Sequence, residues 1–205
     1  MLREILFGLA RKYTSNEALI QELWHEIEAN YAQPHRYYHN LSHLENLFSE
    51  LIMVQELVAD WDTMMFAVFY HDLVYEPTNS RNEEDSAVIM RQRLTDIGYP
   101  EIKILHCSHL ILATKVHGAT DNADINYFTD ADLSILGKNR DVYITYVQQI
   151  RKEYSIFPDM IYNPGRSKVL KHFLEMAAIY KTTHFYSRYE KQARENIAWE
   201  LTLLS

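Results

Sequence analysis

Residues 64–70 are apolar on every face, and a histidine and an aspartate, His71-Asp72, follow at once within the stretch FAVFYHDLVYE. A helix that is apolar all round belongs at the centre of a fold, surrounded by other helices. The 205 residues, 47% of them apolar, can build one sizeable core of that kind, and a single domain spanning 1–205 is expected. Two ionisable neighbours at the end of such a run need a partner. A carboxylate buried alone costs several kcal/mol or neutralises, so the pair is expected to be ion-paired, hydrogen-bonded or bound to a metal.

The rest of the chain reads with helical period. Thr14 and Glu17 form a capping box ahead of a helix whose apolar face is Leu19, Leu23, Trp24, Ile27 and Tyr31, and Pro34 follows it. A second helix is expected over 40–58. Asp60 caps a third, which Pro77 ends. A fourth starts at Ser80 or Asn82, with Glu83, Glu84 and Asp85 complementing its dipole. Pro100 opens a fifth that stops at Gly118, and 119–126 is a loop. A short helix over 128–133 is closed by Gly137, and three more are expected near 141–157, 164–180 and 184–204. No run alternates long enough for a strand, so the chain is expected to be all-α.

Charge and cysteine usage narrow the function. A net charge of −8 argues against a nucleic-acid polymer as partner, because backbone binding needs clustered Lys and Arg. The lone Cys107 cannot form an internal disulfide, no run approaches transmembrane length, and the N-terminus lacks the apolar core of a signal peptide. A cytoplasmic protein that does not enter a membrane is expected. Metal-assisted hydrolysis needs three or four protein ligands and an open coordination position. The candidates are His43, His71, Asp72 and Asp132, drawn from three helices. Asp130 competes with Asp132, since either could be the ligand and Asp130 could also cap the short helix. Adjacent residues on a helix point about 100° apart, so His71 and Asp72 share one ion only if it lies near the helix's end.

A histidine, then His-Asp on a buried helix, then an aspartate in the setting Asp130-Ala131-Asp132-Leu133 resembles the HD superfamily of metal-dependent phosphohydrolases over roughly 31–137. The contexts Pro34-His35-Arg36-Tyr37-Tyr38-His39, His71-Asp72-Leu73-Val74-Tyr75 and Asn82-Glu83-Glu84-Asp85-Ser86-Ala87 resemble one bacterial branch of predicted members. The resemblance implies an HD-type helical bundle in which His43, His71, Asp72 and Asp132 ligate one divalent ion. Two imidazoles and two carboxylates suit manganese, iron, cobalt or zinc. It also implies hydrolysis of a phosphate ester of a small metabolite, a nucleotide being one candidate.

Nucleotidase and alarmone-hydrolase branches carry a glutamate four residues after the motif histidine. Here that position is Tyr75, which leaves Glu76 or Glu83, beside Asp72 itself, to handle protons. Arg36, His39, Lys115 and His117 are the candidates to contact substrate, with His39 also placed to hydrogen-bond a ligand carboxylate. A member that has lost catalysis and serves as a ligand sensor or scaffold is the alternative. A di-iron oxygenase of HD type would need extra histidines around a second ion. His106 and His109 share a helical face, but His117 lies roughly 12 Å beyond His109 along a straight helix. The helices past Asp141 are expected to close the pocket or to bury an apolar face in a homodimer.

Overall fold

The computed structural model describes residues 1–204, and among them the chain is all-α, with ten α-helices, two 3₁₀ segments and no strand. No helix among the described residues is long and apolar enough to cross a membrane. The chain folds as two compact units, Met1–Thr129 and Asp130–Ser205, and the division falls inside one helix.

The first unit holds α1 (Leu2–Ala10), α2 (Glu17–Tyr31), α3 (Leu41–Ile52), α4 (Trp61–Tyr70), α5 (Asn82–Asp96), α6 (Glu101–Ala113) and most of α7 (Ala123–Asp132). As its composition requires, α4 is central: every residue from Thr63 to Tyr70 is buried, and α3, α5 and α6 pack around it. Asp60 caps α4 by accepting from the Thr63 N–H, and Asn40 caps α3 by accepting from Ser42. Asn16, rather than Thr14, caps α2, because its carboxamide reaches the Leu19 N–H while Glu17 pairs with Arg11. The second helix breaks at Ile52 into a 3₁₀ turn at Gln55–Leu57, short of the expected 58.

Two helix ends differ from expectation. α6 stops at Ala113 rather than running to Gly118, and His117 beyond it takes a positive φ of 50°. α7 begins at Ala123, inside the stretch read as loop. Asp124 accounts for this, since its carboxylate accepts from the N–H groups of Ala59 and Asp60 and so ties the first turn of α7 to the start of α4.

The second unit follows α7 with a 3₁₀ segment, Leu133–Gly137, then α8 (Arg140–Glu153), α9 (Asp159–Glu175) and α10 (Thr183–Leu203). α9 starts at Asp159, so Pro164 lies within the helix rather than at its beginning. α10 packs on the 3₁₀ segment, α8 and α9. Gly137 allows the closest approach: a Cβ there would meet the Cα and carbonyl oxygen of Tyr189 at 2.8 Å, closer than any side chain tolerates. The Asn196 carboxamide, fully buried and two turns further along α10, donates to the carbonyls of Leu136 and Lys138 and holds the same segment.

Candidate metal centre

α4 ends at Tyr70, seven residues before Pro77, and side chains from elsewhere in the first unit end it. The Asp72 N–H donates to the Tyr31 hydroxyl. The carbonyls of Asp72 and Leu73 accept from the Arg36 guanidinium at 2.6 and 2.8 Å. The Val74 N–H donates to Ser86 Oγ. Each bond occupies a backbone group that would otherwise extend the helix. His71, at the helix's end, keeps helical backbone angles and donates its N–H to the Ala67 carbonyl, while Asp72 leaves the helical ladder, and both side chains point to one place, with Asp72 Oδ2 3.1 Å from His71 Nε2.

His43, buried on the first turns of α3, brings its Nε2 to 3.0 Å from His71 Nε2 and 3.7 Å from Asp72 Oδ2. His71 Nδ1 lies 3.0 Å from the Val68 carbonyl, which can only accept, so Nδ1 carries the proton and Nε2 keeps its lone pair. Ligand atoms about 2.1 Å from a common ion lie about 3.0 Å apart at a right angle and about 3.4 Å apart at the tetrahedral angle. The three separations here bracket that spacing. Burial pushes the Asp72 carboxyl up, but His71, His39 and His43 in their protonated, metal-free forms outweigh it and hold the group well below the usual carboxylate range.

Asp132 completes the group. Phe128 sets its edge against the His71 ring, 5.7 Å between centroids. Asp132 is four residues further along the same helix, on nearly the same face and about 6 Å along the axis. His43, His71 and Asp132 each offer a ligand atom, and these atoms all lie within 4.8 Å of one another, an arrangement that could hold a metal ion. Asp130 has different work: its carboxylate accepts from the N–H groups of Lys181 and Thr182 and from the Thr182 hydroxyl, fixing the chain just ahead of α10.

The other candidates fall around this cluster or away from it. His39 Nε2 is 4.0 Å from Asp72 Oδ2, and its ring stacks on Tyr75 at 4.1 Å, so the residue standing where a glutamate was expected braces a histidine instead. Arg36 is buried, lies over the Tyr31 ring, and directs its donors to the Asp72, Leu73 and His39 carbonyls and to Gln33. That makes it a strut under the His-Asp turn. Lys115 pairs with Glu84 at 2.6 Å and lies 3.5 Å from Glu83. Glu76 is exposed, its backbone tied to the Asn82 side chain. His106 meets Asn122 at 3.5 Å.

Val68 O, Tyr31 Oη and Ser86 Oγ, which orient the pair, carry no signal in the sequence, for they are an ordinary carbonyl and ordinary core-edge hydroxyls. No family model, curated protein or solved structure matches the chain.

Proposed function

We propose that the chain is a cytoplasmic, divalent-metal-dependent phosphohydrolase of HD type, acting on a small phosphorylated metabolite. The observation that carries this is the facing pair of imidazole nitrogens, His43 Nε2 and His71 Nε2 at 3.0 Å, with the Asp72 and Asp132 carboxylates beside them. His71 presents a lone pair there by virtue of its bond to Val68, the arrangement a metal-ligating histidine needs. Two nitrogens and two carboxylates fit manganese, iron, cobalt or zinc. Such an ion supplies an activated water and polarises a phosphoryl oxygen.

The chain's own residues do the rest. His43, His71 and Asp132 would hold the ion, and Asp72 turns Oδ2 toward the imidazoles. Oδ1 is left to take the proton of the attacking water. Asp72 receives this role ahead of Glu76, which is exposed, and Glu83, which is paired with Lys115. A screen of phosphate monoesters, diesters and nucleotides with manganese or cobalt tests the activity. Turnover that a chelator abolishes and added metal restores is expected. Silence across the whole screen with metal still bound would favour a ligand sensor, the alternative that Tyr75 stacked on His39 supports.

Arg36→Met removes the strut and leaves the Asp72 and Leu73 carbonyls without their charged donor. Because it reorients ligands without being one, metal affinity is expected to fall about ten- to a hundredfold, read by titrating apo protein with zinc or manganese. Unchanged affinity would show that the His-Asp turn holds itself.

A further inference from the structure

α6 carries apolar residues on every face, as α4 does, but only α4 is enclosed. A helix of this composition belongs in an interior. Ile104, Cys107, Leu110 and Ile111 of α6 are buried, whereas Ile102, Leu105 and Leu112 keep 74%, 37% and 37% of their surface in water, and Val116, on the turn just past the helix, keeps 65%. With His109 between Leu105 and Leu112, these positions recur at alternating steps of three and four, the spacing of a seam by which one helix packs on another. α5 widens the face. Lys115 donates to Glu84 at 2.6 Å at one end of the stripe and Arg91 donates to Glu101 at 3.1 Å at the other. Val88 stands one turn from both Glu84 and Arg91 on the same side of α5, and it is 64% exposed. The five aliphatic side chains present roughly 400 Å² of apolar surface, as large a patch as a monomer ordinarily carries.

We propose that this face of α6, with Val88 of α5, is the interface of a homodimer in which α6 lies antiparallel on α6 of a second copy about a two-fold axis. The spacing is self-complementary: read backwards it gives the same alternation of three and four, so an antiparallel copy can interdigitate with it. The charges select the same partner and direction. Glu101 opens α6 and Lys115 lies just past its end, each already beside an opposite charge of α5. An antiparallel copy brings the partner's Lys115 toward Glu101 and the partner's Arg91 toward Glu84, so each end of the interface gathers two cations and two anions, and the helix dipoles oppose. A parallel copy would set like charges together. Joining the two faces covers roughly 800 Å² of apolar surface, and with the charged ends it reaches the roughly 1,000–1,200 Å² of a small specific interface, for which a Kd of about 10–100 μM is expected. The dimer is thus assigned to α5 and α6 rather than to the helices past Asp141. The face contains no residue of the metal centre, so the inference stands apart from the phosphohydrolase reading.

Sedimentation equilibrium of the full-length chain from about 5 to about 500 μM is expected to show the mass rising from one chain toward two. Ile102→Glu and, on the other helix, Val88→Glu are each expected to weaken dimerisation about tenfold or more, because the new carboxylate is carried into an apolar contact. Both positions are mostly exposed in the single chain, so the melting point of either variant when dilute is expected to match wild type. Glu101→Cys and Lys115→Cys, each otherwise holding only the buried Cys107, are expected to be joined by a short bis-maleimide when mixed and far less when either is alone. A wild type that stays monomeric across the whole range overturns the inference. So does a dimer that both glutamate variants leave intact, since the contact would then lie elsewhere, and so does cross-linking stronger within either cysteine variant than between the two, which would make the pairing parallel. Loss of the dimer in variants that also melt about 6 °C or more below wild type when dilute would mark the face as part of the single chain's own fold and overturn it as well.

Discussion

His71→Ala is expected to emerge from purification with little of the metal found in wild type, its affinity lowered about a hundredfold or more. Apparent binding energies of roughly 10–16 kcal/mol for a four-ligand structural zinc site put each ligand at about 2.5–4 kcal/mol, or two to three decades. His71 should lie at the upper end of that range. Its tautomer is fixed by a backbone carbonyl, Val68 O, and its ring is braced by Phe128. Its loss also leaves a cavity beside His43 Nε2, which lies 3.0 Å from His71 Nε2. His109→Ala, an exposed histidine on α6, is the control and should leave metal content unchanged. Equal metal in His71→Ala and wild type, by elemental analysis of freshly purified protein, would remove His71 from the ligand set. Acidification should mimic the substitution, because metal binding requires neutral imidazoles and competes with their protonation.

How much of this centre the sequence discloses depends on how local each determinant is. The apolar run 64–70 announces a central helix, and Asp60 announces where it starts, because periodicity and capping act within a few residues. Where α4 stops cannot be read that way. Pro77 is the only local breaker, yet the helix ends at Tyr70 because Tyr31, Arg36 and Ser86, up to about 40 positions away along the chain, take the backbone groups of residues 72–74. That early stop is what lets neighbouring His71 and Asp72 face one point. The choice between Asp130 and Asp132 is likewise distant in origin, decided by the N–H groups of Lys181 and Thr182, 51 and 52 residues downstream.

Glu200→Ala is expected to destabilise the second unit by about 3–5 kcal/mol, a large part of the margin that keeps a small domain folded. Glu200 is 1% exposed on α10, and its carboxylate accepts from Arg166 Nε of α9 at 2.7 Å, from Arg166 Nη2 at 3.1 Å and from the Tyr143 hydroxyl of α8. Three helices thus converge on one buried anion. Burial would lower the pKa of Arg166, and Tyr146 and Glu200 raise it well above its ordinary value; without Glu200 that support is lost, but a guanidinium is so basic in itself that Arg166 stays charged. The variant therefore leaves a buried cation facing a void, and the loss is that desolvation cost rather than the strength of the pair. Replacing both residues, Arg166→Met with Glu200→Met, should recover most of the loss, since a matched apolar pair carries no stranded charge. Glu195→Ala, which removes only the exposed partner of Lys191 on the same helix, should change stability by no more than about 0.5 kcal/mol. Urea denaturation of the four proteins measures this directly. A Glu200→Ala midpoint equal to that of Glu195→Ala would show that α8, α9 and α10 are held together by their apolar faces alone, with the buried carboxylate contributing nothing to their packing.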